Sequence, residues 1–109
     1  ADSIESVIAS ARRRSPDALI EVEVETLDQV HKALDTDIDR ILLDNFSLAS
    51  AQQAVSLRDA HDGTRKDLEA SGGIELGKIR SLAKVGVDFI SAGALTKNIA
   101  ATDFSLRFI

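Results

Sequence analysis

The sequence predicts an α/β fold: four parallel βα units that form a partial, half α/β barrel of TIM-like type. Three observations lead there. Helical and strand periodicities alternate along the chain. The segment Ile20 to Glu25 sets valines on one face and glutamates on the other, because successive side chains of a strand point to opposite faces. The ends of the predicted strands carry polar or glycine residues, namely Glu23 and Glu25, Asp44-Asn45, Ser71-Gly72-Gly73 and Gly93-Ala94.

A first helix is expected over Ile4 to Arg14, with Asp2 and Glu5 as a capping box and Ile4, Val7, Ile8 and Ala11 as one apolar stripe. Ser15-Pro16-Asp17 ends it, since proline lacks the N–H and disfavours helix in the residue before it. A strand follows at Leu19 to Glu25. Thr26 and Gln29 make a second capping box, ahead of the stripe Leu27, Val30, Ala33 and Leu34. Asp35 to Asp39 is a polar turn and Arg40 to Asp44 the second strand. The third helix starts near Ser47, with Leu48, Ala51, Ala54 and Val55 inward, and Ala60 to Thr64 is a loop. The third strand is weakly marked: only Leu68 and Ala70 are apolar in Lys66 to Ser71, and Arg65, Lys66 and Asp67 are poor strand formers. The fourth helix spans Glu75 to Val85 with Gly86 as its C-cap, and Val87 to Ala92 is the fourth strand. A short helix at Leu95 to Ala100 and an alternating tail of Phe104, Leu106 and Phe108 complete the chain.

This order implies a parallel sheet with helical crossovers. In a doubly wound sheet both faces lie under helices, where three glutamates on one face would be buried without compensation. In a barrel, Val22 and Val24 pack outward under helices while Glu21, Glu23 and Glu25 face the lumen. That requires a lumen that is wet, holds cations or contains basic groups. A solvated edge strand is the competing explanation.

The 109 residues amount to one small domain, residues 1–109, or part of a larger one. Thirteen basic against eighteen acidic residues leave a net charge of −5, and the chain has four Phe but no Trp or Tyr. Neither a basic nucleic-acid face nor a base-stacking platform is expected. The absence of cysteine excludes disulfides, thiolate metal centres and a thiol nucleophile. No apolar run is long enough for a transmembrane helix. The opening ADSIES carries no initiator Met and no signal-peptide pattern, which suggests a trimmed or excised piece.

Ligands of α/β barrels and open α/β sheets bind outside the carboxyl ends of the strands. Carboxylates on adjacent strands, Glu23 and Asp44, suit a divalent cation held through oxygen or a set of sugar hydroxyls. An Asx turn explains Asp44 equally well. The Ser71-Gly72-Gly73 run precedes a helix, and glycines let backbone amides approach an anion. Paired with Gly93-Ala94-Leu95, it suits a phosphate; a tight turn is the simpler explanation. His31 and His61 have no second ligand at metal spacing and are expected on the surface. Arg12, Arg13 and Arg14 are expected as a solvated, dipole-favoured helix end.

Five motifs in order, EVEVETLDQV, RILLDNF, LEASGGI, GVDFISAGALTKN and DFSLRF, resemble the carboxyl-terminal part of quinolinate phosphoribosyltransferase, the carboxylating nicotinate-nucleotide pyrophosphorylases. The resemblance spans Ile20 to Phe108. It implies the last part of an incomplete α/β barrel, without the family's N-terminal sandwich domain and first barrel strands. It also implies a magnesium-dependent transfer of phosphoribose from phosphoribosyl pyrophosphate to quinolinate, with loss of CO2, giving nicotinate mononucleotide for NAD synthesis. Carried over by motif, Glu23 and Asp44 would serve magnesium and the ribose hydroxyls. Ser71, Gly72, Gly73 and Gly93 would bind phosphate. A cytoplasmic homo-oligomer is expected. The basic strand that grips quinolinate is missing, and Lys97 alone does not replace it. The stretch Thr64 to Asp67 departs from the family, which puts the third strand's register in doubt. The alternative is a catalytically inert truncated or engineered half-barrel that acts as a self-association module, closing a barrel across a two-fold axis.

Overall fold

The computed structural model describes residues 3–71, 76–91 and 102–108. In chain order these form α1 (Ile4–Arg14), β1 (Ile20–Val24), α2 (Leu27–Leu34), β2 (Arg40–Asp44), α3 (Leu48–Ala60), β3 (Asp67–Ser71), α4 (Leu76–Val85), β4 (Phe89–Ser91) and β5 (Phe104–Arg107). The start of α1 is corrected by the structure. Ser3 is the N-cap, extended in backbone, and its Oγ accepts from Ser6 N; Asp2 lies outside the described residues. At α2 the expected cap forms with one change. Thr26 Oγ1 accepts from Gln29 N at 3.2 Å, while Gln29 Oε1 reaches one residue further back than in a capping box, to Glu25 N at 2.7 Å.

The strands form one parallel sheet in the order β4-β3-β2-β1-β5. The first four follow chain order, as successive crossovers of one hand require. The tail does not extend this series. Strand β5 returns to the opposite edge and pairs with β1, Ile20 beside Phe104 through Glu23 beside Arg107.

All four described helices contribute to one apolar cluster on one sheet face. Ile8 and Ala11 of α1, Val30, Ala33 and Leu34 of α2, Ala51, Ala54 and Val55 of α3, and Leu82 of α4 pack with Ile20, Val22, Val24, Ile41, Leu43, Leu68 and Ala70. Each fully buried Val, Leu or Ile stabilises the fold by about 1.5–3 kcal/mol. The other face carries Glu21, Glu23, Arg40, Leu42, Asp44, Glu69, Ser71, Phe89 and Ser91 by strand alternation. One-sided helical cover is the expected layering of a barrel sector and is not that of a doubly wound sheet.

The amino-terminal ends of the strands are fastened by two equivalent clasps. Asp39 Oδ2, just ahead of β2, accepts from Ile20 N at 2.8 Å and from Arg12 Nη2 at 2.9 Å, while Arg12 Nη1 donates to Ala18 O. Asp88 Oδ2, just ahead of β4, accepts from Leu68 N and Arg58 Nη1, both at 2.8 Å, while Arg58 also donates to Lys66 O and Gly86 O. In each case an arginine from the preceding helix reaches the carbonyl two residues before the strand amide that the aspartate binds. Arg12 is therefore not part of a solvated helix end; only Arg13 and Arg14 are exposed.

The second clasp explains the weakly marked third strand. Arg65 bridges Asp67 and Asp88, and the Arg58 guanidinium neutralises the same carboxylate. With its charges paired at the start, β3 aligns beside β2 over five residues, from Asp67 opposite Arg40 to Ser71 opposite Asp44. Gly86 closes α4 as expected, at φ 109° and with an added Cβ only 3.1 Å from Val55 Cγ1.

Candidate functional site

Strand register places the rim residues. Glu23 lies beside Leu42 of β2 on one side and Arg107 of β5 on the other. Asp44 lies beside Ser71, and Ser71 beside Ser91. Glu23, Asp44, Ser71 and Ser91 thus share the sheet face opposite the helices, with Glu23 two residues deeper than the row of Asp44, Ser71 and Ser91. Gly72, Gly73, Gly93, Lys97 and the helix expected at Leu95 to Ala100 lie outside the described residues.

Asp44 is exposed, and no described residue pairs with its carboxylate. The chain leaves β2 through Asn45 at φ 55°, a left-handed conformation that asparagine tolerates better than most residues. Just before this turn, Asn45 N donates to Ser71 O at 2.9 Å, the last rung of the parallel β2–β3 ladder, joining the exits of β2 and β3. The Asp44 side chain is not spent on an Asx turn among the described hydrogen bonds. On the same exit, Lys78 of α4 donates to Phe46 O at 3.1 Å, which brings an ammonium group toward the rim.

Glu23 is half-buried, and its carboxylate accepts from the Arg107 guanidinium. Below it lies a buried polar layer. Arg40 Nη1 sits 3.8 Å from Glu21 Oε2 and 3.5 Å from Glu69 Oε1. Ser91 Oγ donates to the other Glu69 oxygen. The Arg40 guanidinium stacks 4.1 Å from the centroid of Phe89, a cation–π contact. Its Nε has no partner among the described residues. Burial, together with the hydrogen bond and charge of Glu69, pushes the Glu21 carboxyl up to about 8. Arg40 is the basic group that a glutamate-lined face required.

Strand alternation alone puts Arg40 on the glutamate face of β2, so its role was available from the sequence. Arg107 was not: alternation sets it opposite Phe104 and Leu106, but only the pairing of β5 with β1 brings it to Glu23. Among the histidines, His31 is exposed. His61 is half-buried and bonded through Nε2 to Asp35 Oδ1 at 3.0 Å. Among the described residues no group of three or more His, Asp or Glu is placed to hold a metal unaided. A cleft of about 620 Å³ lies in the outer helical layer between α2 and α3, lined by Leu27, His31, Gln53 and Leu57 among others, and away from the rim carboxylates. A smaller cleft of about 220 Å³ opens at the exits of β1 and β2, between Glu25, Thr26, Asn45 and Ser47. No described helix is long and apolar enough to cross a membrane.

Comparison with known proteins adds the lineage. Residues 1–107 match the profile of the family described as quinolinate phosphoribosyl transferase, C-terminal domain. The nicotinate-nucleotide pyrophosphorylase (carboxylating) of Mycobacterium leprae is 36% identical over 95% of the chain and 36% of its own length. A probable nicotinate-nucleotide pyrophosphorylase of Methanocaldococcus jannaschii is 38% identical over 83% of the chain and 33% of its own length. The solved nicotinate-nucleotide pyrophosphorylase of Francisella tularensis superposes with a TM-score of 0.72 at 39% identity, covering 92% of this chain and 35% of that one. That of Ehrlichia chaffeensis gives 0.73 at 32% identity, over 93% and 35%. The chain therefore spans about a third of the length of the relatives it matches.

Proposed function

The chain belongs to the quinolinate phosphoribosyl transferase C-terminal domain family, and from that membership we propose that it is the phosphoribosyl-binding segment of such an enzyme. The reaction is transfer of phosphoribose from phosphoribosyl pyrophosphate to quinolinate, giving nicotinate mononucleotide, pyrophosphate and CO2 in NAD biosynthesis. The observation that supports the reading is the common face shared by Glu23, Asp44 and Ser71 on three adjacent strands, Asp44 and Ser71 level at the rim and Glu23 two residues deeper. In this reading Glu23 and Asp44 accept hydrogen bonds from the ribose hydroxyls. Ser71, with Gly72, Gly73 and Gly93, supplies backbone and hydroxyl groups to a phosphate. These groups orient the sugar so that its anomeric carbon faces the acceptor nitrogen, and positioning of this kind contributes much of a transfer rate.

Two hard carboxylate donors fit magnesium, which usually takes one or two carboxylates plus substrate phosphate oxygens rather than a full protein cage. Glu23 already carries a cationic partner in Arg107, so the place accepts positive charge. Glu23 and Asp44 would hold the ion, and when bound it would neutralise charge on the pyrophosphate leaving group.

The isolated chain is expected to bind and not to turn over, because no described cluster of Arg and Lys converges on the rim to grip a dicarboxylate. Titration of the chain with phosphoribosyl pyrophosphate and Mg2+, followed by amide chemical shifts, should perturb the Asp44 to Phe46 and Ser71 signals. Glu23→Gln and Asp44→Asn should each weaken that binding roughly tenfold or more, the loss of one charged contact. Unchanged binding in both variants sinks the reading. Formation of nicotinate mononucleotide by the purified chain refutes the division of labour.

Self-association is part of the proposal, because β4 and β5 are the outer strands of an open sheet and unpaired edges invite a second copy. Sedimentation at micromolar concentration should show a species above 11.7 kDa; a monomer at all concentrations removes this part. A cytoplasmic location is part of the proposal; two plant relatives are named as mitochondrial and chloroplastic.

A further inference from the structure

We propose that Arg107 is the internal counter-cation of Glu23, and that a divalent cation binds at the rim by displacing it. Two observations carry this. Strand β5 is in register with β1 so that Arg107 lies directly beside Glu23, and the guanidinium donates to the Glu23 carboxylate. The two ends of the pair differ in environment. The Glu23 side chain is 23% exposed, the Arg107 side chain 64%. Glu23 stays in place on a strand flanked by two others, while the guanidinium can swing into solvent on its long stem without uncovering the core.

The position of β5 serves this arrangement. It is fastened at the far end, where Leu19 N donates to Asp103 Oδ2 at 2.7 Å and Asp103 N and Phe104 N both donate to Leu19 O. Arg107 is the last residue of the strand, four residues from that anchor, so release of its side chain leaves the pairing of Phe104 intact. Asp44, the other rim carboxylate, has no described cationic partner. An incoming cation therefore meets one open carboxylate and one that is guarded. Arg107 sets the cation affinity of the rim: it keeps Glu23 paired while no metal is bound, and it subtracts its own pairing energy when one arrives.

The inference rests on the metal role proposed for Glu23 and Asp44. It is tested on the 109-residue chain with Mn2+ alone as the probe, read by paramagnetic broadening of the Glu23 and Asp44 amide signals. Arg107→Thr removes the charge and keeps a good strand former; slow exchange of the Leu106 amide reports that β5 remains paired. The expected result is that Arg107→Thr reaches half-maximal broadening at roughly three- to fivefold less Mn2+ than the parent chain, the scale of an exposed ion pair. Arg107→Lys, which keeps the charge, should stay within twofold of the parent. Half-maximal broadening at unchanged or higher Mn2+ in Arg107→Thr overturns the proposal, while loss of broadening in Glu23→Gln leaves the metal role standing. If Glu23→Gln broadens as the parent does, the metal role itself falls and this inference falls with it.

Discussion

Asn45 N donates to Ser71 O across 2.9 Å, and this one bond joins the exits of the strands that carry the rim carboxylate Asp44 and Ser71. It is the last rung of the parallel β2–β3 ladder, set by Asp44 lying beside Ser71; beyond it Asn45, at φ 55°, turns the chain out of the strand.

Replacing Asn45 by valine should therefore cost stability as well as rim order. A β-branched residue at positive φ is strained by about 1–2 kcal/mol. Asn45→Gly should stay close to the parent. Urea denaturation compares the three, and a valine variant as stable as the glycine one would show that the turn is not held in this conformation.

Arg58 is a buried guanidinium that binds Asp88 and two backbone carbonyls, from Lys66 and Gly86. Arg58→Met leaves those acceptors without their donor and should destabilise the fold by about 3 kcal/mol at neutral pH. Burial works to raise the Asp88 carboxyl, but hydrogen bonds from Arg65, Leu68 N and Arg58 outweigh it and hold it below its usual range. A depressed carboxylate stabilises the fold above its unfolded value, near ~3.9, and that contribution is lost as pH falls through the folded value. The gap between parent and Arg58→Met should accordingly narrow below about pH 4. A gap that stays constant to pH 2 would mean that the carboxylate is not its source.

Glu21 has the opposite sign. Its carboxyl is raised to about 8, so the folded chain holds a proton there that the unfolded chain releases near pH 4.5. Stability from this group is complete below that unfolded value and declines as pH climbs toward 8. Glu21→Gln, which mimics the protonated form, should flatten the decline and make the variant the more stable chain at pH 9, by at most ~5 kcal/mol. Thermal denaturation between pH 5 and 9 checks it; parallel curves for the two proteins would remove the buried carboxyl from the account.

Gly86 combines positive φ with a close neighbour, Val55 Cγ1 at 3.1 Å from where a Cβ would stand. Gly86→Ala should cost about 1–3 kcal/mol from the backbone conformation and the contact together. Adding Val55→Ala should restore only the contact part, since the strained φ remains. Full recovery in the double variant would assign the whole cost to crowding.

The amino-acid order by itself determined the alternation of helices and strands, the split of β1 into a valine face and a glutamate face, the caps at Thr26 and Gly86, and the polar residues Glu23, Asp44 and Ser71 toward the strand ends. These are local properties: side-chain period, capping chemistry and backbone freedom act over a few residues and need no partner. Tertiary structure alone decided where β5 goes, and hence that Arg107 stands beside Glu23, a choice between two free sheet edges that alternation in the tail does not discriminate. It also decided the start of β3. Arg65, Lys66 and Asp67 disfavour a strand on their own; Arg58 of α3 holds the Lys66 carbonyl, and Asp88 from the loop after α4, twenty or more residues away, takes Arg65 and the Leu68 amide. Charges that look solvated in a linear reading become structural when the fold brings their partners to within hydrogen-bond distance and removes the water between them.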